Sequence, residues 1–108
     1  MEMGEYLERS QKTARFDLDY EHELSMVALG LAGEAGEVAN YVKKHLFHGH
    51  TYSREKLVDE LGDCLWYIAR MCYTQKISLD EVAEFNLAKL AKRYPEGFSE
   101  EASIHRVE

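Results

Sequence analysis

The chain has 108 residues, a hydrophobic content of 45%, one proline and a formal net charge of −7. This length supports a single domain with one core of modest size. The composition excludes a largely disordered chain, and the acidic balance argues against a general nucleic-acid binder, which would present a basic surface to phosphates. No apolar run approaches the ~20 residues needed to span a bilayer, and the acidic N-terminus does not resemble a signal peptide. We therefore expect a soluble, cytoplasmic protein with no membrane or nucleic-acid partner.

The sequence predicts four helices and no strand, and the first two occupy the N-terminal half. The first helix spans roughly residues 2–15 and is only mildly amphipathic. The second runs from about residue 20 to 47, with Asp17 or Asp19 available as its N-cap. The segment 48–50, His-Gly-His, ends this helix.

The third and fourth helices have clear start signals. Ser53 is the predicted N-cap of the third helix, which reaches about Thr74. Residues 78–81, Ser-Leu-Asp-Glu, form a capping box at the start of the fourth helix. Pro95 follows the end of that helix, and residues 98–108 are predicted to form a polar tail.

Short connections between long helices predict an all-α fold, a compact four-helix bundle-like domain covering residues 1–108. The third helix is apolar on two sides, since Trp66 points nearly opposite to its main apolar face. That face is formed by Leu57, Leu61, Cys64, Leu65, Ile68 and Cys72. A chain this short has few elements to cover both sides, so we predict assembly as an oligomer.

The two cysteines, Cys64 and Cys72, are predicted to lie in one helix. At 1.5 Å per residue their α-carbons would be about 12 Å apart, whereas a disulfide requires less than about 7 Å. We therefore expect two reduced, apolar side chains in a reducing compartment.

Two acidic pairs lie on the second and third helices. Glu34 and Glu37 form one pair, and Glu60 and Asp63 form the other. In each pair a spacing of three places both carboxylates on the same side of the helix, where like charges repel. Carboxylates on facing helices are suited to a hard cation such as Mg²⁺. The alternative is a pair of solvated acidic edges, which is the commoner outcome for a single pair.

The helical wheel favours the cation site. The predicted core face of the second helix is formed by Val27, Leu31, Ala35, Val38 and Val42. Glu34 and Glu37 flank this face, and Glu60 lies at the core boundary of the third helix. An unpaired carboxylate is costly there unless a positive charge neutralises it.

Three glycines lie within seven residues of the second helix, at Gly30, Gly33 and Gly36. Each costs up to ~1 kcal/mol relative to alanine in a helix interior. Their clustering indicates a close approach by another backbone or a ligand, with tight helix packing as the alternative.

The fourth helix carries a basic strip, defined by Asn86, Lys89 and Arg93. The strip adjoins a predicted core face formed by Ala83, Leu87, Leu90 and Tyr94. Lys44 lies two turns beyond Glu37 on the second helix. Cations beside a bound metal suit a triphosphate, whose oxygens outnumber the charges that Mg²⁺ can cover. The alternative is a solvated face on which the helix dipole favours basic residues.

Histidine and aromatic residues offer further candidates. His45, His48 and His50 could bind a metal such as Zn²⁺, but C-terminal helix capping is the favoured interpretation. Trp66 and Tyr67 could stack on a base, although aromatic residues on helices usually belong to the core. Of these two residues, only Tyr67 is a candidate for binding the substrate.

Four segments together resemble the MazG-like pyrophosphohydrolases. These segments are GEAGEV at 33–38, ELGDCLWY at 60–67, NLAKL at 86–90 and RYPEGF at 93–98. The wider superfamily of all-α nucleotide pyrophosphatases includes dimeric dUTPases and phosphoribosyl-ATP pyrophosphatase. The resemblance extends from about Gln11 to the tail, with 22 residues between Glu37 and Glu60.

The resemblance implies hydrolysis of nucleoside triphosphates to the monophosphate and pyrophosphate, as in the clearing of unwanted nucleotides. The implied ligands of Mg²⁺, or of Mn²⁺ as a second possibility, are Glu34, Glu37, Glu60 and Asp63. The implied substrate-binding residues are Asn86, Lys89 and Arg93 and, more loosely, Tyr67 and Lys44. The family's first acidic motif often begins with two adjacent glutamates, whereas Gly33 stands first here. One possible ligand or water-orienting group is therefore missing.

The expected reaction is metal-assisted hydrolysis, with Glu34 or Glu37 taking the proton of the attacking water. Two other functions stay open. One is a non-catalytic dimeric helical interaction module, and the other is an enzyme of the phosphoribosyl-ATP pyrophosphatase type. The predicted assembly is a homodimer or homotetramer. The sequence decides neither between these two states nor which base and sugar are preferred.

Overall fold

The computed structural model describes residues 1–106, which form helices joined by short connections and contain no β-strand. The helices are α1 (Met3–Ser10), α2 (Tyr20–Phe47), α3 (Arg54–Gln75), α4 (Leu79–Arg93) and α5 (Glu100–Ile104), with a 3-10 turn at Gln11–Thr13 after α1. The all-α prediction is confirmed. The predicted tail includes residues 107 and 108, which lie outside the described residues. None of the described helices is both long and apolar enough to cross a membrane.

The predicted caps mark the starts of the three long helices. The side chains of Asp19, Ser53 and Ser78 each accept a hydrogen bond from the backbone N–H three residues further on, at 2.9, 3.2 and 3.0 Å. Each bond satisfies one of the N–H groups that a helix leaves without a partner at its N-terminus. Asp17, the other predicted cap of α2, instead pairs with Arg15.

Both ends of the chain depart from the predicted elements. The first helix ends at Ser10 rather than near residue 15. Near its end the Ser10 hydroxyl donates to the Leu7 carbonyl at 2.8 Å, and the Thr13 hydroxyl donates to the Ser10 carbonyl at 3.0 Å. Such side-chain bonds compete with helix continuation. The tail contains the unpredicted helix α5, for which Ser99 is the N-cap.

Helices α2 and α3 form an antiparallel hairpin, which is the main packing contact of the chain, and α1 lies against α3. The Tyr41 hydroxyl joins the hairpin near its connection. It donates to the Ser53 carbonyl at 2.9 Å and accepts from the Ser53 N–H at 2.7 Å. This pair of bonds, the Tyr41–Ser53 clasp, fixes the start of α3 against the side of α2.

A buried charge network around Arg70, which is 3% exposed, ties α3 to α2 and to the segment that joins α1 and α2. Its guanidinium donates to the carboxylate of Glu23, to Oε1 of Gln11 at 2.8 Å and to the Arg15 carbonyl at 3.0 Å. A charge is stable in such a place only when it is paired and its hydrogen-bonding groups are satisfied. The apolar part of the core is small, and its buried members are Val27, Ala69, Cys72 and Leu79. Cys64 and Cys72 are free cysteines, as predicted.

Helix α4 stands apart from the hairpin, because its main contact is with α1. Its predicted core face is not covered in the single chain: Leu87 is 65% and Leu90 37% exposed, and the adjacent Phe85 is 75% exposed. The radius of gyration is 17.0 Å, compared with about 13 Å expected for a compact domain of this length. The single chain is therefore more open than the compact bundle that the sequence predicted.

Candidate metal centre

The α2–α3 hairpin brings three of the predicted metal ligands together. Glu34 on α2 and Glu60 and Asp63 on α3 each place a carboxylate oxygen within 4.8 Å of the others. Within residues 1–106, this acidic cluster is the one group of three or more His, Cys, Asp or Glu side chains with that spacing. Glu60 is buried, Glu34 is half-buried and Asp63 is exposed. The cluster therefore opens to solvent on one side.

The fourth predicted ligand, Glu37, lies beside the acidic cluster. It is exposed and lines a cavity together with Glu60. Its charge also contributes to the electrostatic environment of Glu34. Glu37 is thus close enough to act at the same site, although it is not one of the three carboxylates within 4.8 Å of one another.

The electrostatics of the acidic cluster favour a cation. The pKa of Glu34 is raised, first by partial loss of solvent and then by the negative charges around it. Those charges belong to Asp63, Glu60, Glu37 and Asp59. A divalent cation would relieve this repulsion, and a donor set made only of carboxylate oxygens fits Mg²⁺ or Mn²⁺. The residues present therefore fit the predicted metal.

Lys56 is the positive partner of the acidic cluster, and the sequence analysis missed it. Its Nζ lies 2.9 Å from Oε1 of Glu60 and 3.7 Å from Oδ2 of Asp59. The hydrogen bond and charge of Glu60 raise the pKa of Lys56. The available sequence signal was the spacing of four between Lys56 and Glu60, which places them on the same side of α3.

A basic cavity of about 310 Å³ adjoins the acidic cluster on one side. Its lining includes Lys44 from α2, His50 from the connection and Lys56 from α3. Glu37 and Glu60 form its border with the cluster. The structure thus places Lys44, a predicted substrate-binding residue, beside two of the predicted metal ligands.

An aromatic cavity of about 280 Å³ adjoins the acidic cluster on the other side, where Glu34 and Asp63 form part of its lining. The rings of Trp66 and Tyr67 also line it, with their centroids 5.0 Å apart in an edge-to-face arrangement. The indole N–H of Trp66 donates to Oγ1 of Thr13 at 2.8 Å, which fixes the ring. Aromatic faces of this kind can stack on a nucleotide base.

Gly30 makes room for Tyr67. A Cβ atom at position 30 would collide with the Tyr67 ring. Among residues 1–106, no atom would lie within 4 Å of a Cβ at Gly33 or Gly36 apart from their chain neighbours and the backbone of α2. The close neighbour of Gly30 is therefore a side chain, whereas the glycine cluster predicted another backbone or a ligand. For Gly33 and Gly36, approach by a ligand or a second chain stays a prediction.

The basic strip of α4 borders other parts of the surface. Asn86 is exposed, and Lys89 is half-buried in a groove with Phe85 and Lys92. Arg93 lines a cavity formed with residues of the tail. Neither of these cavities includes a carboxylate of the acidic cluster.

The histidines near the end of α2 serve local roles. His48 is the C-cap residue of α2. His45 bonds through Nδ1 to the His50 carbonyl at 2.8 Å and lies 5.7 Å from the Tyr52 ring. In the part of the chain that the structure describes, no histidine belongs to a group with metal-ligand spacing. The capping interpretation therefore fits His48, whereas His45 contacts the connection that follows α2.

A larger cavity of about 540 Å³ lies away from the acidic cluster, between α1 and the α3–α4 junction. Leu7, Cys72, Ile77 and Leu79 are part of its largely apolar lining. It contains none of the predicted site residues. Cavity size alone would therefore have pointed to a different part of the molecule.

Comparison with known proteins gives two matches and one negative result. A family model described as the MazG nucleotide pyrophosphohydrolase domain matches residues 22–98. The Gene 37 protein of Mycobacterium phage L5 is 41% identical over 85 residues, which cover 75% of this chain and 75% of that protein. No solved structure matches the chain significantly. The matched segment contains the acidic pairs of α2 and α3 and the basic strip of α4.

Proposed function

Because the chain belongs to the MazG nucleotide pyrophosphohydrolase family, we propose that it hydrolyses nucleoside triphosphates with Mg²⁺ bound at the acidic cluster. Family membership confirms the predicted resemblance and indicates a hydrolase that acts on nucleotides. The observation that carries the finer proposal is the meeting of Glu34, Glu60 and Asp63 within 4.8 Å, between a basic and an aromatic cavity. Mn²⁺ is a second ion suited to the same oxygen ligands.

In the proposed reaction, water attacks the α-phosphorus of the nucleotide, and the bond between the α- and β-phosphoryl groups breaks. The products are a nucleoside monophosphate and pyrophosphate, which leaves with the bonding electron pair. When bound, Mg²⁺ offsets the charge on the phosphate oxygens and makes water more acidic. Glu34, Glu37, Glu60 and Asp63 would hold the cation. Whichever of Glu34 and Glu37 is not fully committed to the cation would take the proton that the water loses.

The two cavities suit the two ends of a nucleotide. Trp66 and Tyr67 provide aromatic surface next to Glu34 and Asp63, which fits a base by stacking. The opposite cavity is basic and fits phosphate oxygens. An acidic helical module that only binds a protein partner would have no need for this arrangement around its carboxylates.

We place the basic strip of α4 at the site of a second copy of the chain. The apolar face of α4 is exposed and the single chain is open, so α4 has surface to bury against another copy. Lys89 and Arg93 are positive, and the acidic cluster that they would face is negative. A symmetric dimer or tetramer would form each site from two chains, and both states fit this proposal.

A panel of nucleoside triphosphates, assayed for pyrophosphate release with and without Mg²⁺, tests the activity. Glu60→Gln and Asp63→Asn should abolish turnover while circular dichroism still shows folded helices. Glu81→Gln is the matched control, because Glu81 lies in the first turn of α4. If all three variants lost activity equally, the loss would reflect unfolding and the assignment of ligands would fail.

The same panel separates the competing functions. Phosphoribosyl-ATP belongs in it, since preferential turnover of that substrate would favour the phosphoribosyl-ATP pyrophosphatase type. A non-catalytic interaction module predicts no Mg²⁺-dependent release of pyrophosphate from any nucleotide.

Arg93→Lys tests the role of the basic strip. The variant keeps the charge but loses the planar group that binds phosphate oxygens in pairs. We expect kcat/KM to fall about tenfold, equivalent to ~1.4 kcal/mol, while the Mg²⁺ affinity of the free protein stays unchanged. Lys89→Ala should behave likewise. Steady-state kinetics measure kcat/KM, and a direct titration measures the Mg²⁺ affinity. Unaltered kinetics in both variants would show that the basic strip does not bind the substrate.

A further inference from the structure

Lys56 is bonded to a carboxylate that the proposed function assigns to the metal. Its Nζ lies 2.9 Å from Oε1 of Glu60, whose side chain is 9% exposed. A carboxylate so buried requires a compensating positive charge. In the free chain Lys56 provides that charge.

Helix stability is a weak explanation for this ion pair. Lys56 precedes Glu60 by four residues, and a basic residue before an acidic one is the less favourable order along a helix. Lys56 also keeps 53% of its side chain exposed, so its own burial does not hold it in place. The pair is better explained by the surroundings of its two charges.

Those surroundings include further basic residues on the side of Lys56. Lys44, His50 and Lys56 come from three different segments of a chain with a net charge of −7, yet they line one cavity. Asn40 and Thr51 add polar groups to the lining. Such a cavity fits an anion with several oxygens, and its border with Glu37 and Glu60 places that anion next to the acidic cluster.

We propose that Lys56 exchanges partners: it neutralises Glu60 in the free protein and, once a divalent cation takes over that carboxylate, binds the pyrophosphate end of the substrate in the basic cavity. The proposal rests on the proposed function, since it assigns the cation to the acidic cluster and the nucleoside to the opposite, aromatic cavity. It adds a residue to the site and gives the substrate a direction across the cluster.

If Lys56 exchanges partners, removal of its charge has a consequence that is not expected for a lysine with a purely structural role. Removing the charge of Lys56 removes a competitor for Glu60 and a like charge near the cation, so the free protein should bind Mg²⁺ more tightly. The same change removes a ligand of pyrophosphate, so that anion should bind more weakly. A lysine that only supports the position of Glu60 would alter both affinities in the same direction.

Titration calorimetry on Lys56→Met tests this opposition. We expect the Kd for Mg²⁺, without nucleotide, to fall by about twofold to fivefold, as for loss of a partly exposed ion pair. The Kd for inorganic pyrophosphate, measured at a fixed saturating Mg²⁺ concentration, should rise about tenfold, as for loss of a charged hydrogen bond. Lys56→Gln is a second neutral variant should Lys56→Met fold poorly.

Two control variants define the reference. Lys43→Met removes the same charge from an exposed position on α2 and should change each Kd by less than about twofold. Lys56→Arg keeps the positive charge and should restore most of the pyrophosphate affinity. The exchange of partners would be wrong if Lys56→Met weakened the binding of both Mg²⁺ and pyrophosphate. It would also be wrong if Lys56→Met changed neither Kd by more than Lys43→Met does.

The readouts also separate this inference from the proposed function. Opposite shifts in the two affinities without turnover of any nucleotide would reject the hydrolase and retain the exchange. Turnover with parallel shifts would reject the exchange alone. Wild-type protein that bound no Mg²⁺ would overturn both.

Discussion

The α2–α3 hairpin and helix α4 differ in where their side chains find packing and charge partners. The hairpin with α1 surrounds the buried Arg70 network and forms the acidic cluster within one chain. Helix α4 has its predicted core face exposed and contacts mainly α1. The acidic cluster therefore forms within one chain, whereas the contribution to the site that we propose for α4 would depend on assembly. Four measurements test this contrast.

The largest effect is expected on the hairpin side, from Arg70→Ala. The substitution leaves the carboxylate of Glu23, which is 8% exposed, without its partner. Breaking a buried pair on one side typically costs about 3–5 kcal/mol. Urea unfolding followed by circular dichroism should show this loss. A cost below ~1 kcal/mol, the range of exposed ion pairs, would mean that the network does not anchor the hairpin.

Leu87→Asp is expected to act through assembly. A charge on the exposed face of α4 should prevent contact with a second copy, and light scattering should then report a monomer. The melting temperature of the wild-type chain should rise with protein concentration, by an amount that corresponds to about 2.7 kcal/mol at a hundredfold excess over the dissociation constant. The variant should lack this dependence. Lys76→Asp, at an exposed position outside α4, is the control, and equal behaviour of the two variants would argue against α4 as the interface.

Gly30→Ala and Gly33→Ala form a matched pair on α2. Gly30→Ala should lower the free energy of unfolding by about 1–3 kcal/mol, because its methyl group overlaps the Tyr67 ring. The second places a methyl group in open space and should stabilise the chain by up to ~1 kcal/mol through helix propensity. Chemical unfolding of both variants as monomers, in the Leu87→Asp background, gives the comparison. A loss of stability for Gly33→Ala in the monomer would contradict the open space that the structure shows around Gly33.

The smallest effect is expected for Ser78→Ala, which removes the N-cap of α4 at a cost of about 1 kcal/mol. If α4 is a separate unit of stability, hydrogen exchange should accelerate in its first turns while the amides of α2 and α3 keep their protection. Uniform acceleration through all three helices would contradict the contrast between the two regions.

Local signals explain what the sequence could predict. Capping residues and apolar periodicity act over a few residues, and they place α2, α3 and α4 within one or two residues of their observed bounds. The acidic pairs predicted that carboxylates from two helices would meet, because in each pair the two carboxylates lie on the same side of their helix. The shortened α1 was missed because its end depends on side-chain bonds at Ser10 and Thr13.

Long-range partners could not be predicted in the same way. Arg70 and Glu23 are 47 residues apart, and no local pattern shows that two charged side chains will be buried together. Lys56 was visible as a neighbour of Glu60 along α3, but its place in the basic cavity depends on how α2 and the connection pack. The exposure of the apolar face of α4 could not be predicted either, since periodicity shows that a face needs cover without showing which chain provides it.

The Tyr41–Ser53 clasp separates the geometry of the acidic cluster from that of the basic cavity. Because a helix advances 5.4 Å per turn, a slip of α3 by one turn would exceed the 4.8 Å that spans the three carboxylates. The clasp holds the register of the hairpin at Ser53, beyond the connection that carries His50 and Thr51. Changes in the length or composition of that connection can therefore reshape one wall of the basic cavity while the carboxylates keep their positions. Under the proposed function, changes in this loop would alter which phosphorylated ligand binds while the acidic cluster stays intact.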